Sequence, residues 1–329
     1  MKVLVTGCAG FIGLNLIKYL LKNNYYVIGI DSLTYASNKA ELKKIKNNKK
    51  FIFYRLDINS KKLLNILKIN KPNWIVNLAA ESHVDNSIIN PEKFIRSNIN
   101  GLFNLLLLST DYYSKLNKIE KKKFKFLQIS TDEVYGSLIK GSAKEISKYN
   151  PSSPYSASKA SSDMLINSWI KTYKFPAVIS YSCNNFGPHQ NKEKFIPKII
   201  LSLKENIKIP VYGNGLNQRE WIFVNDHILA IERILLKGRI GEKYNIGSRN
   251  NLSNIQIVIK ILNIMKNNGY INSKILSKNI KYIKDRAGHD FRYSLNSQKI
   301  KKELSWREKF KFEKSLKTTI DFYFNNLND

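Results

Sequence analysis

The sequence predicts an α/β fold: a doubly wound parallel sheet with a smaller mixed domain beside it. Three observations carry that prediction. Short apolar runs alternate with helical patterns through the first half of the chain, a glycine-rich turn joins the first run to the first helix, and the rhythm becomes irregular after Cys183. The first run, Lys2–Thr6, opens the chain as a buried strand, and Phe11–Lys22 follows as a helical pattern. Further strand patterns lie at 25–30, Phe51–Arg55, 74–78, 124–129 and 177–180. Helical patterns separate them at 61–68, 91–109 and Pro154–Tyr173. Six strands so spaced make a sheet of the Rossmann type. Residues 1–183 are expected to form this first domain, completed by later segments near 219–247, and residues 184–329 mainly a second one. Pro, Gly and Asn punctuate that part at 185–190 and 213–217. No internal repeat or low-complexity linker separates the parts, so they are expected to pack around a cleft, the usual place for a ligand.

The 329 residues are enough for cores that need no staples. Only two cysteines occur, Cys8 and Cys183, and no basic-then-apolar leader precedes the first strand, so the chain is expected to start at Met1 in a reducing cytoplasm. No stretch approaches the roughly 18 apolar residues that a spanning helix requires. The net charge of +30 raises the question of a nucleic-acid partner. Only nine of the 55 basic residues are Arg, and the lysines are scattered among Asn and Ile, as in 121–123 and 43–44. Readers of nucleic acid cluster charge and favour the arginine fork. Neither a nucleic-acid nor a membrane partner is therefore expected.

The turn Thr6-Gly7-Cys8-Ala9-Gly10-Phe11-Ile12-Gly13 sits between the first strand and the first helix. Gly7 suits a tight turn, Gly10 lets the backbone approach a pyrophosphate, Gly13 lets helix and sheet pack closely, and the helix amino terminus favours negative charge. Asp31 ends the second strand, where a carboxylate accepts hydrogen bonds from an adenosine ribose. A 2′-phosphate about 4 Å away would be repelled by roughly 4 kcal/mol per charge pair, so NAD is expected over NADP. Asp57, closing the third strand, is a candidate contact to the adenine edge.

Tyr155 and Lys159 stand four apart near the start of a helical pattern, hence on one face. Holding a phenolate at neutral pH requires a shift of about three units, roughly 4 kcal/mol, and a lysine ammonium nearby contributes on that order. Tyr155 can then remove a hydroxyl proton from a carbon undergoing oxidation. Asp132 and Glu133 follow the fifth strand, and two carboxyls in different environments can divide the roles of acid and base in an elimination.

Residues 6–13 together with 155–159 resemble the extended short-chain dehydrogenase/reductase superfamily. The segments Ser130-Thr131-Asp132-Glu133-Val134-Tyr135-Gly136, Ala80-Glu81-Ser82-His83-Val84-Asp85, 151–160 and Asp285-Arg286-Ala287-Gly288-His289-Asp290 resemble one branch of it, the dTDP-glucose 4,6-dehydratases. The likeness runs from Lys2 to about Trp306. It implies a hydro-lyase that makes a 4-keto-6-deoxy sugar nucleotide from a nucleoside-diphosphate hexose. Asp132 would be the acid and Glu133 the base, Thr131 would bind the reacting C4 hydroxyl, and NAD would stay bound because each turnover regenerates it. It also implies that Phe11, Ile12, Ser32, Leu33, Thr34, Ile58, Leu78, Ala79, Ala80, Ser97 and Asn185 line the cofactor. The diphosphate would be held by Arg219, Asn184, Asn254, Asp285, Arg286 and His289. Lys194, Phe195, Pro210 and Tyr212 would surround the nucleoside, and Ser82 would touch the sugar.

The histidines, His83, His189, His227 and His289, all fall in matching segments without metal-ligand spacing, so no metal is expected. His227 is expected to be structural. Cys8, Phe186, Ala287, Glu220 and Asn225 depart from the pattern at positions where Gly, Tyr, Pro, Asp and Glu are usual. UDP- or CDP-glucose as substrate, a nucleotide-sugar epimerase, and a non-catalytic NAD-sensing or nucleic-acid-binding protein on the same fold are the alternatives. The resemblance further implies a homodimer through the 91–109 and Pro154–Tyr173 helices.

Overall fold

A computed structural model describes residues 1–271 and 279–325. Seven parallel strands form the main sheet: β1 (Lys2–Thr6), β2 (Tyr26–Asp31), β3 (Phe51–Arg55), β4 (Trp74–Asn77), β5 (Lys125–Thr131), β6 (Ala177–Ser182) and, much later in the chain, Lys243–Ile246. Their order is β3-β2-β1-β4-β5-β6 with Lys243–Ile246 on the β6 edge. Strand direction never changes, so each crossover needs a helix and both faces are covered. The windings reverse between β1 and β4, and the carboxyl ends there open the ligand crevice. A polar chain stitches this edge: Thr6 Oγ1 donates to Asn77 Oδ1 at 2.6 Å, and Asn77 Nδ2 donates to Gln128 Oε1 at 2.8 Å.

The remaining strands are β7 (Asn184–Phe186), β8 (Ile209–Tyr212), β9 (Gln218–Phe223), β10 (the Lys243–Ile246 strand), β11 (Asn251–Ser253) and β12 (Ile280–Ile283). β7 and β11 flank β9 in a mixed three-stranded sheet, and β8 pairs with β12. With the helices Phe195–Lys204, Asn254–Asn267 and Phe312–Asn325 they close the cleft from the second side.

Helix starts follow local chemistry. Ser153 and Ser156 form a reciprocal cap on Pro154–Tyr173, with Pro154 at the first turn where its missing N–H costs nothing. The expected single helix over 91–109 is instead two α segments, Pro91–Phe94 and Gly101–Ser114, joined by a π-helical turn at Ile95–Asn100. The interruption has a cause in Asn98. Its side chain accepts from Glu81 N at 2.9 Å and donates to Ser158 Oγ at 2.8 Å, binding the helix to the loop after β4 and to the Tyr155 helix. Three short helices in the first half of the chain were not expected, Lys39–Ile45, Val84–Ile89 and Lys118–Lys123. The expected second and fifth strands also run one and two residues further, to Asp31 and Thr131.

Candidate active site

Two cavities of about 980 Å³ and 280 Å³ open along the carboxyl edge of the main sheet and share Gly7, Gly10, Ala36, Leu78, Ala80 and Glu193 in their walls, so they form one cleft. The outer part is lined by Asp31, Ser32, Thr34, Asp57, Ile58, Leu78, Ala79, Ala80 and Ser97. The inner part is lined by Phe11, Ile12, Gly13, Ser82, Thr131, Asp132, Glu133, Tyr155, Lys159, Asn184, Asn185 and Lys194.

The outer part suits NAD. Gly7 has φ +64°, and a Cβ there would stand 2.8 Å from Ala79 N, so only glycine lets the β1 and β4 loops meet. A Cβ at Gly13 would stand 2.1 Å from Gly7 O. The helix Phe11–Lys22 begins at Gly10 with no side-chain cap, which leaves its first amides for an anion. The Asp31 carboxylate accepts from Ala9 N at 2.9 Å, Leu33 N at 2.7 Å and Ser37 Oγ at 2.9 Å, so its charge is fixed at the far end of the groove. Leu33 shapes this turn, at φ +60°, without lining the cavity. Cys8, where glycine is usual, tucks its thiol against Gly29, where any Cβ would be 2.8 Å from Sγ.

In the inner part, Thr131 ends β5 and caps the turn Asp132–Tyr135, its Oγ1 accepting from Glu133 N at 3.3 Å. That hydroxyl also donates to Asp132 Oδ1 at 3.2 Å and shares the cavity wall with the Tyr155 phenol. Asp132 Oδ2 is buried without a partner. Burial, reinforced by Glu133 and Glu220, holds the Asp132 carboxyl well above the ordinary carboxylate range. Burial raises Glu133 too, while Arg286, Arg219 and Lys194 pull it back. Burial and Glu133 push the Tyr155 phenol up. Lys159 lies one turn on, and its ammonium donates to Ile129 O at 2.7 Å instead of to the phenol. Burial lowers it and Asp163 opposes the shift.

Asp163 was not anticipated. It is fully buried on the Tyr155 and Lys159 stripe, accepts from Ser130 Oγ at 2.6 Å, and burial raises it to about 7 against the pull of Lys159. Spacing could have found it, because positions 155, 159 and 163 share one helix face. Glu193, Tyr35 and Asn86 in the outer wall gave no such signal.

Several expected substrate residues stand outside both cavities. Arg219 is buried over the Tyr293 ring, 4.5 Å from its centroid, and spends its fork on the carbonyls of Gln218, Asp290 and Phe291. Phe195 stacks on Trp221, and Asn254 starts its helix with its N–H on Asn217 O. Pro210 and Tyr212 lie on β8. Tyr212 joins a polar rim: its hydroxyl donates to Asp85 Oδ2 at 3.0 Å, Arg286 lies 3.5 Å from Asp85 Oδ1, and His289 Nδ1 is 2.5 Å from Asp285 Oδ1. Lys194 ties this side to the cleft by donating to Ser82 O at 3.0 Å. His227 is buried and neutral, lowered to about 3 by burial, with Nδ1 2.8 Å from Asn185 Oδ1. Glu220 turns inward, accepting from Arg249 N and Leu295 N at 2.7 Å each. Phe186 packs on Phe223 and Phe312.

The sequence profile of the family described as GDP-mannose 4,6 dehydratase matches residues 4–319. A probable dTDP-glucose 4,6-dehydratase of Sinorhizobium fredii is 43% identical over 328 residues, 99% of this chain and 93% of that protein. The dTDP-glucose 4,6-dehydratase of Haemophilus influenzae is 41% identical over 333 residues, covering 99% and 98%. Among solved structures, DesIV, a dTDP-glucose 4,6-dehydratase of Streptomyces venezuelae with NAD bound, superposes with a TM-score of 0.89 at 37% identity, covering 99% of this chain and 98% of that one. With full-length identity near 40% and the same fold, the chain belongs to the GDP-mannose 4,6-dehydratase family, in the branch of the dTDP-glucose 4,6-dehydratases.

Proposed function

We propose that the protein dehydrates dTDP-glucose to dTDP-4-keto-6-deoxyglucose, as an NAD-dependent hydro-lyase. The observation that carries this reading is the pair of buried Asp132 and half-buried Glu133, which shares the inner cavity with Tyr155 and Lys159. An epimerase needs only the tyrosine and lysine, since it breaks no C–O bond at C6.

When bound, NAD would supply the hydride acceptor for C4 of the sugar and the hydride donor for C6. Gly7, Gly10, Gly13 and the uncapped helix start would hold its pyrophosphate, and Asp31 its ribose. Tyr155 takes the C4 hydroxyl proton, with Thr131 orienting that hydroxyl. Glu133 accepts the C5 proton once C4 is a ketone, and Asp132 gives its proton to the departing C6 hydroxyl. The environments support this division: cations around Glu133 favour its carboxylate, whereas carboxylates beside Asp132 favour its acid. Ser82, Asn184 and Lys194 in the inner wall would contact the sugar and diphosphate. Arg219, Arg286 and His289 could reach the nucleotide only by turning from their present partners. The main sheet would serve the cofactor, and the part built on β7 to β9, β11 and β12 the nucleotide sugar.

A homodimer is supported by apolar side chains left exposed on two packed helices: Phe103 and Leu107 on one, Met164 and Tyr173 on the other. Sedimentation should give twice the chain mass, and Leu107→Glu should give a monomer. A cytoplasmic site is supported by Cys8 and Cys183, both buried free thiols. Incubation with dTDP-, UDP- and CDP-glucose, followed by NMR of the products, tests the substrate. The dTDP sugar should be converted fastest to the 4-keto-6-deoxy form, and a preference for another nucleotide would reassign it.

A further inference from the structure

The proposed reaction leaves the enzyme in a different protonation state from the one in which it began. Oxidation at C4 moves the hydroxyl proton to Tyr155, and elimination sends a proton from Asp132 out in the departing water. Glu133 takes a proton from C5 and one is returned to C5, so it closes at zero. The hydride leaves C4 and arrives at C6, so the redox half closes as well. Each turnover thus ends with Tyr155 one proton up and Asp132 one proton down. No second turnover can begin until the phenol has lost that proton and the carboxylate has regained one.

Both side chains are largely buried at the base of the cleft, Tyr155 at 8% exposure and Asp132 at 2%. Thr131 stands between them. Its hydroxyl is a polar neighbour of the phenol in the same cavity wall and donates to Asp132 Oδ1 at 3.2 Å, and it is the one side chain hydrogen-bonded to Asp132 among the described residues. The Glu133 backbone N–H, 3.3 Å from Thr131 Oγ1, fixes the hydroxyl in that place, and Thr131 itself is buried.

We propose that Thr131 is the proton relay that resets the enzyme between turnovers, passing the Tyr155 proton to Asp132. The phenol O–H breaks as a new O–H forms on Thr131 Oγ1, the old Thr131 O–H breaks as one forms on Asp132 Oδ1, and the threonine ends unchanged. Burial raises both ends of the relay, Asp132 and the Tyr155 phenol, and Glu133 adds to each. This role rests on the dehydratase reading above and adds to orientation of the C4 hydroxyl a second, later task.

The two tasks separate kinetically in the holoenzyme. Thr131→Val removes the hydroxyl at nearly constant shape. With dTDP-glucose, a single turnover at excess enzyme is compared with steady-state turnover at excess substrate. The steady-state rate should fall roughly 10²-fold further than the single-turnover rate, giving a product burst near one equivalent per site. Added formate or imidazole should restore the steady state alone, and Thr131→Ser should keep the wild-type ratio of the two rates. If the two rate constants fall together, or neither falls, the relay is wrong and Thr131 serves the oxidation only or not at all. Thr131→Ala, which adds no bulk, reads the same outcomes should the valine variant not fold. A wild-type chain that makes no 4-keto-6-deoxy product would instead overturn the dehydratase reading, so the two failures are distinct.

Discussion

Asp132 and Glu133 are neighbours in sequence, the first buried and the second half-buried, and they meet different charges. Glu133 faces the pull of Arg286, Arg219 and Lys194, and Asp132 the push of Glu133 and Glu220. The base must be ionised and the acid protonated. The rate should therefore fall on the acid side as Glu133 gains a proton and on the alkaline side as Asp132 loses one. Because burial raises both, both limbs of the kcat profile should lie above the ordinary carboxylate range, with apparent values that belong to the pair. An acid limb at about 4, the unperturbed value, would contradict the burial argument. Glu133→Gln keeps the shape and removes the base. Turnover should drop by roughly 10²–10⁴, C5 exchange with deuterated solvent should fall with it, and 4-keto-glucose nucleotide should accumulate. Near wild-type turnover would remove Glu133 from the mechanism. At this scale the sequence was legible where chemistry and spacing coincide, as in Tyr155, Lys159 and the Asp-Glu pair. It was not legible where orientation decides. Arg219 has the residue type that suits a diphosphate, but its fork is turned to three backbone carbonyls.

Elements carry their own electrostatic devices. Lys125 opens β5 with its side chain buried, and its ammonium donates to Ile234 O at 3.0 Å, Leu235 O at 2.8 Å and Gly238 O at 2.7 Å. It thereby closes the last carbonyls of the helix Val224–Lys237, where a cation also meets the negative end of the helix dipole. Lys125→Met keeps the stem and strands these acceptors, so it should cost about 1–3 kcal/mol in urea unfolding. A loss below about 0.5 kcal/mol, the usual range of surface changes, would mean that water replaces the ammonium. Phe11–Lys22 and Pro154–Tyr173 have the bounds that the pattern predicts. Lys39–Ile45 buries only Leu42, and Lys118–Lys123 buries nothing, so neither shows an apolar period. The π turn was illegible because its cause, Asn98 bonded to Glu81 and Ser158, joins residues far apart in the chain.

On the scale of the whole molecule, the parallel sheet was legible because buried strands on both faces read as continuous apolar runs. The second half was not. β9 pairs with β7 and β11, and β8 with β12 some seventy residues later, so register there depends on long-range packing rather than on local pattern. The resulting cleft sets the glycine turn and Asp31 beside Asp132, Glu133, Tyr155 and Lys159, and this juxtaposition is the basis for proposing dehydration. It is tested most directly with dTDP-glucose carrying deuterium at C4, followed by NMR in ordinary water. The deuterium should appear in the C6 methyl group of a 4-keto sugar nucleotide. Deuterium that remains at C4 of an epimerised or unchanged sugar would contradict it.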